Sequence, residues 1–181
     1  LDDPNWAPII SLNASYTYYP TYAQVLKDYN RPNYQPVFMV EANYEFEHNQ
    51  GTVDTTPLNL RKQEYWSLLG GAAGQLYGNH YTWTFTGGWQ SHLDTPGAIQ
   101  MAHLQMLFEP RAWYDLVPDQ THTVVTAGYG TFSNVGFVEN NSYLTAARTP
   151  GGTLVIAYMP TIRNITVDMT QLSGSVTARW Y

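Results

Sequence analysis

The stretch Pro36-Val37-Phe38-Met39-Val40-Glu41 decides the fold. It is short, partly β-branched, and apolar without interruption until a carboxylate closes it. Continuous rather than alternating hydrophobicity marks a strand covered on both faces, as in a parallel sheet. Upstream, Tyr22 to Tyr29 places Val25, Leu26 and Tyr29 at helical spacing, and Asn30-Arg31-Pro32-Asn33 breaks the pattern. Before that helix, the apolar run Ile9-Ile10-Ser11-Leu12-Asn13 is expected to supply a first strand. Downstream, Thr55-Thr56-Pro57 is a helix start with Pro in the first turn, and Leu58, Arg61, Glu64, Tyr65, Leu68 and Leu69 carry it to Gly70-Gly71. Ala73 to Tyr77 reads as the next strand and ends at Gly78-Asn79-His80. A Trp- and Gly-rich loop, Tyr81 to Trp89, leads to a helix opened by Asp94-Thr95-Pro96 and running to about Arg111. Strand and helix therefore alternate through this half of the chain, which predicts parallel βαβ units with right-handed crossovers.

The pattern changes near Pro118-Asp119. From Thr121 onward no helical periodicity survives. Thr123–Ala127, Tyr143–Arg148, Thr153–Met159, Asn164–Asp168 and Ser175–Tyr181 read as strands, with Pro150-Gly151-Gly152 as a hairpin turn. Tyr143, Thr145 and Ala147 should face one side and Leu144, Ala146 and Arg148 the other. The expected organisation is an α/β domain over residues 1–118 and a small antiparallel β domain, a half-sandwich, over 119–181.

Composition bounds the function. Lys and Arg total 8 against 14 Asp and Glu, a net charge of −6 in 181 residues, and no basic run occurs. That balance argues against a nucleic-acid partner held through its phosphates. With 44% hydrophobic residues the chain is not globally disordered. The absence of Cys removes disulfides, thiolate metal sites and a cysteine nucleophile. No apolar run approaches the roughly 18–20 residues of a membrane span, so no membrane partner is expected. Aromatic residues reach 15%, enough both to fill a core and to stack on a ligand. The chain opens Leu1-Asp2-Asp3-Pro4, without Met or signal peptide, and closes on the strand-like Val176 to Tyr181. It is expected to be a segment of a longer protein.

Glu41 is the first candidate for chemistry. It ends a doubly buried strand, and in barrel enzymes the C-terminal strand ends carry the reacting groups. A strand-end Glu that only pairs with an Arg is the competing reading. Asn43 and Tyr44 follow at once, and a Tyr beside a carboxylate can orient it. Glu45 and Glu47 are too near in sequence to be obvious catalytic partners, because paired glycosidase carboxyls usually come from different strands. The second candidate is the segment from Tyr77 to Trp89. Asn79 and His80 could bind hydroxyls, and Tyr81, Trp83 and Trp89 could stack on sugar rings; the rings could equally plug the mouth of a barrel. His48, His92, His103 and His122 have no metal-ligand spacing, and HExxH, GxSxG, GxGxxG and P-loop signatures are absent.

These residues resemble a known family. Pro36 to Glu45, with the sequence PVFMVEANYE, is similar to the seventh-strand segment of the apiosidase-like glycoside hydrolases. So are Arg61 to Gly74, Tyr77-Gly78-Asn79, Trp89, Leu93 to Gly97 and Leu116 to Asp119, in the same order over about 110 residues. The remainder resembles the β-rich C-terminal domain that often follows the barrel, a domain that has carried a collagen-binding label. The resemblance implies the C-terminal part of a (β/α)₈ TIM barrel acting on plant cell-wall or related glycans. It implies Glu41 as nucleophile of a retaining mechanism, no cofactor and no metal. Asn43, Tyr44, Tyr77, Asn79, His80, Trp83 and Trp89 would contact a carbohydrate, and the parent enzyme would be secreted or periplasmic. The family commonly has a Pro or small residue around the Asn-Tyr pair, and Ala42 is unremarkable there.

An eight-stranded barrel takes about 250 residues, so the chain holds roughly its last three βα units. The acid/base Asp would lie in the N-terminal half, supplied by the same parent protein or by another chain. The alternative is a non-catalytic subunit, glycan-binding or structural as in a filament, that reuses the fold.

Overall fold

A computed structural model describes residues 3–181; Leu1 and Asp2, the start of the N-terminal motif, lie outside the described residues. Three parallel strands, β1 (Asn13–Tyr16), β2 (Val37–Glu41) and β3 (Ala72–Gln75), form a sheet in the order β1-β2-β3. Helix α1 (Thr21–Tyr29) connects the first pair and α2 (Pro57–Leu69) the second. Short α3 (His80–Thr84) and longer α4 (Pro96–Phe108) follow. The alternation of strand and helix read from the sequence is the observed order.

The helix starts follow from their caps. Thr56 accepts a hydrogen bond from the Asn59 amide ahead of Pro57, and Thr95 accepts from the Ala98 amide ahead of Pro96. The two faces of β2 have different fates. Val37 and Met39 are buried with Val25, Ala42 and Ala72 under α1. On the other face the register aligns Ala14, Phe38 and Gly74. A Cβ on Gly74 would sit 2.5 Å from the Phe38 ring, so the ring occupies the space above the glycine. Phe38 and Val40 are half-buried and Tyr16 and Leu76 exposed, so this face is apolar and open. It is the face a closed barrel turns inward.

The first strand is displaced from its expected place. The run Ile9–Leu12 is turn and bend, Ile9 is exposed, and the strand begins at Asn13. Its buried positions are polar: Ser15 Oγ donates to Asp28 Oδ2 at 2.5 Å and Asn13 Nδ2 to the Asp28 carbonyl at 3.4 Å. A strand buried through hydrogen bonds carries no apolar signal.

The last third is antiparallel. Strands β4 (Val117–Pro118), β6 (Thr145–Arg148) and β7 (Val155–Tyr158) form one sheet in the order β4-β6-β7, and β5 (Val125–Ala127) pairs with β8 (Thr166–Val167). The β6–β7 hairpin turns at Pro150-Gly151-Gly152, where Gly152 has φ +69°. As expected from alternation, Tyr143 and Ala147 pack toward the helices while Leu144 and Ala146 pack around Val125. Ser175–Tyr181 carries no strand. Its alternating pattern finds no partner strand; Trp180 is exposed, and Tyr181 lies 4.9 Å from the Arg111 guanidinium instead. β4, which contains Pro118, gave no strand signal because it is two residues long.

This part sits on the backs of the helices. Leu69, Leu104, Leu107 and Phe108 share one apolar cluster with Ala147 and Ile156. Trp66, fully buried on α2, donates its indole N–H to the Tyr143 carbonyl at 2.9 Å. The Lys62 ammonium bonds the carbonyls of Val138 at 3.2 Å and Glu139 at 2.8 Å, and burial pushes its pKa down.

Candidate active site

Parallel strands bring their C-terminal ends, and the loops that leave them, to one edge of the sheet. Glu41 stands at the end of β2, half-buried, opposite Tyr16 of β1. The Tyr18 hydroxyl donates to Glu41 Oε1 at 2.6 Å, and the Tyr16 hydroxyl donates to Tyr18 at 2.8 Å. Burial, then the bonds to Glu41 and Tyr16, raise the Tyr18 pKa well above that of an ordinary phenol, so Tyr18 stays a donor. No arginine is paired with Glu41 among the described residues. The half-buried Tyr44 phenol is raised by burial and then by the charges of Glu41 and Glu47, so it lies within electrostatic reach of both.

The two carboxylates that follow have other employment. Glu45 is fully buried. It accepts from the Gly97 amide at 2.8 Å, Thr95 Oγ1 at 2.5 Å, Asn79 Nδ2 at 3.4 Å and the Tyr77 hydroxyl. Thr95 and Gly97 open α4, so the carboxylate fills the positive end of that helix. Glu47 accepts from the Trp83 indole at 2.6 Å and Asn49 at 3.0 Å, and lies 3.2 Å from His80 Nδ1. Burial opposes its ionisation, but the bonds from Trp83, Asn49 and His80 outweigh burial and hold its pKa below the usual carboxylate range.

The residues predicted to contact substrate divide into three groups. His80 and Trp83 meet on Glu47, and the Trp83 ring stands edge-on to Tyr44 at 6.5 Å. Trp83 is exposed, whereas Trp89 packs edge-on against Phe85 at 5.3 Å and joins none of these contacts. The side chains of Asn43, Tyr77 and Asn79 turn inward. Asn43 is buried and bonds Gln63 and the Tyr18 carbonyl. Asn79 is buried and caps α3 through the Tyr81 amide at 2.9 Å. Tyr77 is spent on Glu45 and Thr95, and burial followed by the Glu45 bond pushes its pKa up to about 12. The loop Tyr81–Trp89 is therefore not a plain loop: Asn79 nucleates α3 within it.

Tyr18 and Gln63 were missed. The run Tyr16-Thr17-Tyr18-Tyr19 directly after β1 is a signal for Tyr18 once the strand end is known. Gln63 has none, because a buried glutamine on a helix looks like an exposed one in sequence.

Chemically, the edge offers one carboxylate with a free oxygen, a phenol that fixes the other oxygen, and an exposed indole nearby. A separate cavity of about 510 Å³ lies in the last third, walled by loop residues such as Gly130, Phe137 and Asn141, and touches none of these groups. Among the described residues no cluster of His, Asp and Glu could hold a metal ion.

The family described as "Apiosidase-like, catalytic domain" matches residues 4–115. A solved structure titled "Glycoside hydrolase" superposes with a TM-score of 0.70 at 23% identity, covering 86% of this chain and 36% of that one. A glycoside hydrolase family 5 structure from Bacteroides vulgatus gives a TM-score of 0.70 at 22% identity, with 86% and 35% covered. The chain thus spans about a third of the length of the solved structures it matches. No curated protein matches it.

Proposed function

We propose that this chain, which belongs to the apiosidase-like family of catalytic domains, contributes the nucleophile to a retaining glycoside hydrolase. The observation that carries the reading is Glu41: a strand-end carboxylate, half-buried, bonded by Tyr18 on one oxygen and tied to no arginine among the described residues. Its free oxygen attacks the anomeric carbon of a bound sugar. The bond from that carbon to the leaving oxygen breaks through an oxocarbenium-like transition state, and a glycosyl ester forms on Glu41. A general acid protonates the leaving oxygen, then serves as base for the water that releases the sugar. Tyr18 fixes the carboxylate, and Trp83 and Tyr44 offer ring surfaces for the substrate. The substrate class is a plant cell-wall or related polysaccharide, and the site belongs to a secreted or periplasmic enzyme.

Glu45 and Glu47 are committed to hydrogen bonds within this chain. The acid/base therefore comes from an N-terminal barrel half that closes over the open face carrying Phe38, Val40 and Leu76. The same fact favours a second reading, in which the chain binds glycan without cleaving it. The test is Glu41→Gln in the full-length protein, assayed on aryl glycosides and cell-wall polysaccharides. Turnover should fall on the order of 10⁴-fold or more with the fold retained. Glu41→Gly should be rescued by azide, which takes the nucleophile's place. Wild-type turnover in Glu41→Gln removes the assignment; glycan binding with no turnover by the wild type selects the second reading.

A further inference from the structure

Beneath Tyr18 and Glu41 lies one helix residue that bonds the segment after Glu41 directly and reaches the Tyr18 segment through Asn43. Gln63, buried on α2, bonds the backbone of Asn43 with its side-chain amide. Its Nε2 donates to the Asn43 carbonyl at 2.7 Å, and its Oε1 accepts from the Asn43 amide at 3.1 Å and from Asn43 Nδ2 at 3.2 Å. Asn43 Nδ2 also donates to the Tyr18 carbonyl at 3.0 Å. The Gln63 carbonyl accepts from Thr21, the first residue of α1, at 2.7 Å.

β2 ends at Glu41, so the Asn43 amide and carbonyl lie beyond the strand. Buried backbone groups there need partners. Gln63 supplies both in one rigid pair, and through Asn43 it holds the Tyr18 loop as well. We infer that Gln63 is a positioning residue, which sets the Glu41 carboxylate and the Tyr18 hydroxyl in register from below. The inference rests on the reading of Glu41 above. A packing residue would need no amide in this place; a residue that aims two groups needs both the donor and the acceptor.

The test uses the full-length protein. Gln63→Leu removes all three side-chain bonds to Asn43 at similar volume. With the far-UV spectrum unchanged, kcat should fall about 10- to 100-fold while KM moves less than about twofold, since misplacement of about 1 Å can cost that much. Hydrogen exchange should accelerate about tenfold or more in both segments, 16–20 and 41–45, and not elsewhere. A folded Gln63→Leu with wild-type kcat, or with both segments as protected as before, overturns the inference.

If Gln63→Leu does not fold, Gln63→Glu decides. A protonated carboxyl reproduces the amide, donating to the Asn43 carbonyl and accepting from its amide. An ionised one only accepts, and faces that carbonyl unpaired. The kcat of the variant relative to wild type should thus approach one at low pH and fall as pH rises. Glu64, 3.4 Å from Gln63 Nε2, would couple to the new carboxyl, so both proteins carry Glu64→Gln, and Glu41 and Tyr18 are then common to both and cancel in the ratio. A ratio independent of pH also overturns the inference. Should the wild type cleave no glycoside, the functional reading fails, and exchange in the two segments still decides whether Gln63 holds them.

Discussion

Glu41 and Glu45 stand four residues apart on one strand and its exit, and their surroundings are opposite. Glu45 is sealed under the start of α4, with both oxygens bonded by protein groups. Glu41 lies half-open with a single phenol on one oxygen. A buried carboxylate with both oxygens bonded is a structural joint; one with an idle oxygen at a strand end is available for chemistry. Hydrogen-bond saturation, rather than residue type or proximity to a motif, separates the two.

The sharpest way to break this contrast is to exchange the consequences of mutation. Glu41→Gln should remove activity on the order of 10⁴-fold and leave the melting temperature unchanged or raised. Glu45→Ala should do the reverse, costing roughly 3–5 kcal/mol by denaturant titration, because four donors lose a buried acceptor. If Glu45→Ala folds normally, Glu45 is not a joint.

A smaller effect is expected from Gly97→Ala. The added Cβ would sit 2.5 Å from Leu60 Cδ1 and 2.6 Å from Glu45 Cδ. Overpacking there should cost about 1–3 kcal/mol, read in the same titration. Tyr18→Phe leaves the joint intact and frees the second oxygen of Glu41. It should lower kcat about tenfold with stability within about 0.5 kcal/mol, and an unchanged kcat would remove Tyr18 from the site.

The last effect is read against pH and concerns a third carboxyl, Glu64, fully buried on α2 with its pKa pushed up to about 8 by burial. The unfolded chain releases this proton near 4.5, whereas the folded chain keeps it until about 8. Its contribution to stability is therefore fully present below pH 4.5, declines as pH rises toward 8, and levels off above. The slope is at most about 1.4 kcal/mol per pH unit. Glu64→Gln should flatten the pH dependence of the melting temperature over that range, and an unchanged slope would place its origin elsewhere.

The parallel strands and their helices were legible because apolar runs, Thr-Pro caps and Gly stops all pointed the same way. The position of Glu41 was legible for the same reason, as the carboxylate closing an apolar strand. β1 was misplaced because Asn13 and Ser15 are buried by hydrogen bonds to Asp28, and apolarity cannot report them. Asn43, Tyr77 and Asn79 were expected at the substrate because polar residues beside a strand end look available. Their partners, Gln63, Glu45 and the α3 backbone, belong to other segments, and pairings over such separations are invisible to local pattern. The residues after Asp119 were legible as antiparallel, but their packing against α2 and α4 was not.

That packing limits how the molecule can be shortened. A version ending at residue 118 would strip Ala147 and Ile156 from Leu69, Leu104, Leu107 and Phe108. It would leave the Trp66 indole without its acceptor and the Lys62 ammonium without its two carbonyls. Such a piece would present a greasy flank to water and precipitate before any assay, so trimming for expression has to spare the hairpin.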